Sequence, residues 1–279
     1  MNKLRAAVYG LVVGDALGFP VEFKKRGSFY VEEMTGFGTY NQPPGTWSDD
    51  SSMTLATCDS IREMGRIDLD DLRRRFENWL FHSAYRAGES LFDYGRTTYE
   101  ALKGGCGIND YQANGNGSLM RIIPLAFLDV SDSEIEAVSA LTHAHPISKE
   151  ACCIYINIAR HLLAGQDLSA ILKGLEVSAP FADLKNLEVL PESQVSSSGF
   201  VIHTLQASLW CLLQTSSFSE AVLRAVNLGD DSDTTGAVTG ALAGIVYGYE
   251  AIPKNWIAEL RNKELIERCL FDTNLMSHQ

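Results

Sequence analysis

The sequence predicts an all-α protein with a single domain over residues 1–279. Three observations support this prediction. Apolar residues recur at helical spacing through most of the chain. No segment combines the alternating pattern of a half-buried strand with a hairpin turn, and strands do not alternate with helices. The chain also lacks an internal repeat and a linker rich in Pro, Gly and Ser. Residues 24–47 and 176–199 are predicted to be surface loops.

The predicted helices of the N-terminal part are each supported by side chains that share one face. The first begins near Leu4, the second follows SDDSS at residues 48–52, and the third covers residues 70–81. The residues that define these faces are Leu4, Val8, Leu11 and Asp15 in the first helix, Met53, Thr57 and Ile61 in the second, and Leu72, Phe76, Trp79 and Leu80 in the third.

In the rest of the chain, the predicted helices are supported by helical periodicity and by two serines that can cap helices. Ser131 and Ser219 each stand shortly before a periodic segment and are predicted to cap it. The helices predicted here cover residues 134–141, 154–163, 201–213 and 220–226.

The charge balance excludes two classes of partner. The formal net charge is −12 and the isoelectric point is about 4.9. Such a surface repels phosphate backbones and anionic lipid headgroups, so we expect no binding to nucleic-acid backbones or to membranes. The apolar N-terminal segment is interrupted by Gly14, Asp15 and Gly18, and it has no cleavage pattern of a signal peptide.

The six cysteines show no CxxC motif and no paired spacing. They are predicted to be reduced and mostly buried, as in a cytoplasmic protein. No histidine stands at ligand spacing from a cysteine, which disfavours a zinc site.

Two acidic clusters precede apolar helical segments: WSDDSS at residues 47–52 and GDDSDTTG at residues 229–236. Carboxylates at a helix N-terminus are favoured by the helix dipole, but this explains only one or two acids per helix. Several buried carboxylates repel one another unless protons or a cation neutralise them. Asp together with Ser and Thr oxygens suits Mg²⁺, Mn²⁺ or Ca²⁺. The sequence therefore predicts a cation site that uses both clusters.

Other interpretations of the second cluster are weak. It matches the first half of an EF-hand loop, but the position that requires Glu is Leu242, inside an apolar helix. It also matches the DxDxT motif of phosphatases with an aspartate nucleophile. That motif follows a buried strand, whereas the preceding segment EAVLRAVNLG has helical periodicity.

Five segments in order resemble the ADP-ribosylglycohydrolase family: GDALGFPVE, WSDDSSMTL, NGNGSLMRIIP, THAHP and GDDSDTTGAVTGALAG. The resemblance extends from residue 4 to about residue 256. It implies a compact orthogonal helical bundle with a central dinuclear metal cleft that holds two Mg²⁺ or Mn²⁺ ions.

The resemblance also assigns roles to residues. The implied metal ligands are Ser48, Asp49, Asp50, Asp231, Asp233 and Thr234. Asp49, Asp50 and Glu22 are the candidates for acid–base steps, and no choice among them is made from the sequence. Asp230 is an extra carboxylate, expected to face solvent or to support the ligands from behind. Gly115, Gly117 and Ser118 match a loop that contacts phosphate, and His143 matches a position facing the diphosphate or the distal ribose.

The activity implied by the resemblance is cleavage of the bond at C1″ of the distal ribose, releasing ADP-ribose from a modified acceptor. The acceptor is a protein side chain or a small molecule, with an arginine N-linkage as the first expectation. Such cleavage passes through an oxocarbenium-like state, which carboxylates and hard cations can stabilise. Two alternatives stay open: a non-catalytic ADP-ribose-binding member of the family, and a different Mg²⁺-dependent nucleotide or phosphate hydrolase.

Overall fold

The computed structural model describes residues 2–273, and this range contains helices, turns and loops but no β-strand. The all-α prediction is therefore confirmed. The α-helices are α1 (Asn2–Gly18), α2 (Asp49–Met64), α3 (Leu69–His82), α4 (Arg96–Gly104), α5 (Asp132–Ser139), α6 (Pro146–Leu163), α7 (Leu168–Gly174), α8 (Val201–Leu213), α9 (Phe218–Asn227), α10 (Ser232–Tyr247), α11 (Lys254–Glu259) and α12 (Lys263–Cys269).

Helices α1 and α10 form an antiparallel pair at the centre of the protein, and glycines allow their backbones to touch. A Cβ atom at Gly10 would lie 2.1 Å from the Gly240 carbonyl oxygen, and one at Gly14 would lie 2.0 Å from that of Gly236. A Cβ atom at Gly244 would likewise lie 2.1 Å from the Ala6 carbonyl oxygen. The small residues of both helices are thus required by this close contact, which larger side chains would prevent.

The close pairing also determines which helix ends meet. Because the helices are antiparallel, the C-terminal end of α1 lies against the N-terminal end of α10. A Cβ atom at Gly18 would be 2.4 Å from the Cα of Asp233. The Ser232 hydroxyl donates to the Gly18 carbonyl oxygen at 2.9 Å. The residues around Gly18 are thereby placed beside the second acidic cluster.

The segment Lys3–Val21, which contains most of α1, is long and apolar enough to cross a membrane, but 94% of its most apolar window is buried inside the protein. Its side chains belong to a hydrophobic core that extends from Leu4 to Phe271. The apolar character of this helix therefore follows from its central position in the fold.

Replacing Gly10 with alanine is expected to lower the free energy of unfolding by about 3 kcal/mol, because the new methyl group must push α1 away from α10. The melting temperature should fall by about 6 °C. Gly104→Ala is the matched control, since nothing lies within 4 Å of a Cβ atom at that position. Equal stabilities of the two variants in thermal unfolding would show that the helices do not pack this closely.

Several predicted helix boundaries were confirmed, and others were wrong. The helix predicted over residues 201–213 has those limits, and Ser131 caps α5. Ser219 is not a cap: it lies inside α9, and the Ser217 side chain accepts from the Glu220 N–H. Helix α6 begins at Pro146, well before the predicted start at residue 154, because His145 caps it there.

The predicted loop over residues 176–199 contains a 3-10 helix at Ala179–Val189. Phe181, Leu184 and Leu187 are its buried residues, and their spacing of three matches the 3-10 repeat. All six cysteines lie in the described range and are free thiols, as predicted, although Cys106 is exposed.

Candidate active site

Two helix N-termini meet beside the C-terminal end of α1. Ser48 is the N-cap residue of α2, and its side chain accepts from the Asp50 N–H. Asp231 occupies the N-cap position of α10, but its side chain makes no capping hydrogen bond. The acidic residues at these two N-termini are Asp49, Asp50, Asp231 and Asp233. The predicted meeting of the two acidic clusters is therefore present in the structure.

A first group of carboxylates joins Asp15, Asp50 and Asp233, each offering an oxygen within 4.8 Å of the others. All three side chains are buried. The Asp15 carboxylate is fixed by the N–H of Ser48, at 2.9 Å from Oδ1, and by the Ser51 hydroxyl, at 2.5 Å from Oδ2. This sets the position of α2 relative to α1.

A second group joins Glu22, Asp231 and Asp233 within the same 4.8 Å limit. Asp233 is common to both groups, so these five carboxylates resemble two adjacent sites that share one residue.

Four buried carboxylate oxygens in these groups have no hydrogen-bond partner within the described residues: Oε2 of Glu22, Oδ1 of Asp50, Oδ1 of Asp231 and Oδ2 of Asp233. Buried polar atoms are normally hydrogen-bonded, and unpaired buried charge is costly. Oxygen-only sites of this kind suit hard divalent cations. The residues present thus fit the metal ions that the sequence predicts.

Burial and mutual repulsion act on the carboxyl groups in the same direction. Loss of hydration raises the pKa of Asp15 to about 6, of Asp49 to about 7 and of Glu22 to about 9, and nearby carboxylates add to the last two shifts. The same two causes raise the pKa values of Asp50 and Asp233 well above the usual range. Such groups take up protons or bind cations.

Both predicted hydroxyl ligands donate to Asp50, and the Thr234 hydroxyl thereby connects the two acidic turns. The Ser48 hydroxyl donates to Oδ2 of Asp50 at 3.0 Å, and the Thr234 hydroxyl donates to the same oxygen at 3.4 Å. Asp49 is buried but belongs to neither three-residue group. Asp230 is exposed, as expected for the extra carboxylate, and its backbone pairs with residues 23 and 24.

A cleft with a volume of about 250 Å³ opens beside these groups. Its lining includes Glu22, Asp49, Asp93, Asn116, Asp231 and Thr234. Asp50 and Asp233 are not part of the lining and lie beneath it. A larger surface groove, about 820 Å³ in volume, contains none of the grouped carboxylates and is therefore a poor candidate for the active site.

Gly115, Gly117 and His143 form another part of the cleft wall. A Cβ atom at Gly117 would lie 2.8 Å from Cε1 of His143, so only glycine allows the loop to lie against this ring. The ring itself is buried and its position is therefore fixed.

The Ser118 side chain lies inside the protein, so the predicted contact with phosphate concerns its backbone. Its hydroxyl is fully buried, accepts from the Ser139 hydroxyl at 2.9 Å, and does not line the cleft. None of the hydrogen bonds among residues 2–273 uses the N–H of Gly117 or Ser118. A contact of Ser118 with phosphate would therefore be made by its backbone.

Three residues of the site were missed in the sequence. Asp15 carried a signal, since a carboxylate on the apolar face of a helix requires a buried partner. Asp93 precedes α4 in a loop without a motif, and burial together with the nearby Asp49 and Asp231 raises its pKa to about 9. Asn116 donates through Nδ2 to Oδ2 of Asp231 at 2.9 Å, which ties the glycine loop to the second acidic cluster.

Comparisons with known proteins show which family this chain resembles. A sequence model described as ADP-ribosylglycohydrolase matches residues 1–278. The chain is 33% identical over 282 residues to the ADP-ribosylarginine hydrolase of Serratia proteamaculans, covering 95% of this chain and 77% of the relative. It is 31% identical over 279 residues to the ADP-ribosyl-(dinitrogen reductase) glycohydrolase of Rhodospirillum rubrum, covering 94% and 91%. A solved ADP-ribosylglycohydrolase-related protein complex aligns with a TM-score of 0.83 at 31% identity, covering 99% of this chain and 97% of that one.

Proposed function

This chain belongs to the ADP-ribosylglycohydrolase family and is a glycohydrolase enzyme, and we propose that it removes ADP-ribose from modified arginine side chains in a metal-dependent reaction. The strongest support for this proposal comes from the two three-residue groups of carboxylates, which share Asp233 and lie beside the cleft. Water would add to C1″ of the distal ribose, the bond to the guanidinium nitrogen would break, and that nitrogen would take up a proton.

We propose two Mg²⁺ or Mn²⁺ ions as cofactors, held by the two groups with Ser48, Asp49 and Thr234 as further ligands. Bound there, such ions would supply Lewis-acid stabilisation and orient the ribose hydroxyls. Four unpartnered buried oxygens in the described part of the chain support this proposal.

The geometry narrows the choice of the acid–base residue. Glu22 and Asp49 line the cleft, whereas Asp50 is fully buried and does not. A group that exchanges a proton with the substrate must come within hydrogen-bond reach of it. We therefore assign proton transfer to Glu22 or Asp49 and restrict Asp50 to metal binding.

The arginine linkage is supported by the cleft and by a relative. Asp93 lines the cleft and belongs to neither three-residue group, and a guanidinium bound beside it would favour the ionised form of its carboxyl group. Carboxylates pair well with guanidinium, which is planar and has several donors. The relative in Serratia proteamaculans is named as a hydrolase of ADP-ribosylarginine.

Asp93→Asn is expected to raise KM for arginine-linked substrate by about tenfold, because an amide cannot pair with the guanidinium charge. KM for serine-linked substrate should change by less than about twofold. Steady-state release of ADP-ribose from both substrates measures the difference. Asp183→Asn is the matched control, because it changes an exposed carboxylate that does not line the cleft. Equal losses on both substrates would contradict a role for Asp93 in recognising arginine.

A direct test of the proposed function presents arginine-, serine- and nucleic-acid-linked ADP-ribose side by side, with Mg²⁺ or Mn²⁺. We expect the fastest release from the arginine linkage. Tight binding of ADP-ribose without turnover of any substrate would instead indicate a non-catalytic binding protein. Release of inorganic phosphate or AMP, with the glycosidic bond intact, would indicate a different hydrolase.

A further inference from the structure

Arg121 is a buried cation that lies behind the cleft wall. Its side chain is fully buried and forms no ion pair with a carboxylate in residues 2–273. Its guanidinium donates to the carbonyl oxygens of Gly117 and Val138 and to the Thr142 hydroxyl, the last at 2.9 Å. The Phe76 ring covers the guanidinium, with Cζ 4.7 Å from the ring centroid. Burying a charge in this way is costly, so a role beyond packing is expected.

The Thr142 hydroxyl connects Arg121 to a residue of the cleft. Its oxygen lies 2.8 Å from Nδ1 of His143. Arginine can only donate, so the hydroxyl accepts from Arg121 and keeps its own hydrogen to donate. Nδ1 is the acceptor that lies within reach. If Nδ1 carried a hydrogen instead, the buried hydroxyl hydrogen would have no acceptor, which is unfavourable.

The imidazole is neutral, so the position of its one hydrogen matters. Burial and the neighbouring Arg121 charge lower the pKa of His143 to about 3. With Nδ1 accepting, the hydrogen is on Nε2. That atom lies 3.3 Å from the position of a Cβ atom at Gly117 and 3.6 Å from one at Gly115, beside the glycine loop of the cleft wall.

We propose that Arg121 is a positioning residue that, through Thr142, holds His143 in the Nε2–H tautomer, so that the ring donates a hydrogen bond to an oxygen of bound ADP-ribose. The identity of that ligand rests on the proposed function. A diphosphate oxygen and a ribose hydroxyl share the required chemistry, since both accept hydrogen bonds.

The same guanidinium also orients the glycine loop. In a trans peptide the C=O and the following N–H point in opposite directions. Because the Gly117 carbonyl oxygen is bound by Arg121, the N–H of Ser118 points away from Arg121. One buried cation thus fixes two neighbouring hydrogen-bond donors, the Nε2–H of His143 and the N–H of Ser118.

The test combines nitrogen NMR of the imidazole with binding and kinetics, using Thr142→Val, which keeps the side-chain shape but removes the hydroxyl. Wild-type protein labelled with ¹⁵N-histidine should show an unprotonated Nδ1 and a protonated Nε2 for His143, assigned by the loss of these signals in His143→Gln. In Thr142→Val we expect the Nδ1–H tautomer to become populated. The dissociation constant of ADP-ribose and the KM should each rise about fivefold to tenfold, with kcat changed by less than about threefold.

Thr57→Val is the matched control, because it also removes a buried hydroxyl, which donates to the Met53 carbonyl oxygen in α2. It should leave the tautomer and the ADP-ribose affinity unchanged. Arg121→Lys keeps the charge but lacks the forked donors, so it should repeat the tautomer change of Thr142→Val. An Nδ1–H tautomer in the wild type, or unchanged tautomer and affinity in Thr142→Val, would overturn the proposal. The tautomer and the ADP-ribose dissociation constant are measured without turnover, so these two outcomes are independent of whether arginine-linked substrates are hydrolysed.

Discussion

An Asp233→Asn variant is expected to lose hydrolase activity by about a thousandfold or more, since it removes the one carboxylate that both groups share. An amide oxygen binds a hard cation far more weakly than a carboxylate does, and it cannot neutralise the charge of the bound ions. Binding of divalent ions should therefore fall together with activity. The folded protein should survive, because the substitution also removes one of several mutually repelling carboxylates.

The measurement is ADP-ribose release under saturating Mn²⁺, together with the number of Mn²⁺ ions bound in titration calorimetry. Asp230→Asn is the matched control, since this neighbouring carboxylate is exposed and joins neither group. Its activity should stay within about twofold of the wild type, as surface changes usually have small effects. Full activity of Asp233→Asn would rule out a shared carboxylate ligand at this position.

Removing divalent ions is expected to abolish activity and to make the stability of the fold depend on pH. In the metal-free protein the pKa values of Asp15, Asp49 and Asp93, about 6, 7 and 9, exceed their ordinary value near 4. The folded state therefore binds more protons than the unfolded state. The contribution of these three groups to stability is highest at acidic pH, near 4, and is lost as the pH rises from about 4 to 9.

Thermal unfolding at several pH values, with EDTA and with Mg²⁺, measures this effect. The melting temperature in EDTA should fall as the pH rises across that window. At pH 8, Mg²⁺ at about 100 times its dissociation constant should raise the melting temperature by about 5 °C. A stability that rises with pH in EDTA, or that does not respond to Mg²⁺ and Mn²⁺, would contradict this interpretation.

Helical periodicity predicted the long helices but not the short ones. Helices α3 and α8 were found where apolar side chains recur on one face. Helices α4, α7, α11 and α12 were missed, because short helices give a weak pattern. Helix α5 is also short, and the Ser131 cap helped to predict it. The 3-10 helix at Ala179–Val189 was missed because its repeat of three differs from the α-helical one. The prediction of a single domain is consistent with a core from Leu4 to Phe271 and stays a prediction. The cytoplasmic location also stays a prediction.

Site residues that lie close together in the sequence could be predicted. Site residues that only tertiary packing brings to the cleft could not. Asp49, Asp50, Asp231 and Asp233 are adjacent to one another in two short segments, so they could be recognised. Asp15 joins them only because the glycines of α1 and α10 bring the two helices into contact. The Ser118 side chain faces the interior, a direction that a glycine-rich turn does not reveal.

The most direct test of whether the two acidic turns bind metal ions together is a crystal structure grown with Mn²⁺, with anomalous scattering recorded to locate the ions. We expect two anomalous peaks, one beside Asp15, Asp50 and Asp233 and the other beside Glu22, Asp231 and Asp233. The absence of a peak between the turns at saturating Mn²⁺, or a set of peaks of which none contacts both turns, would contradict joint binding.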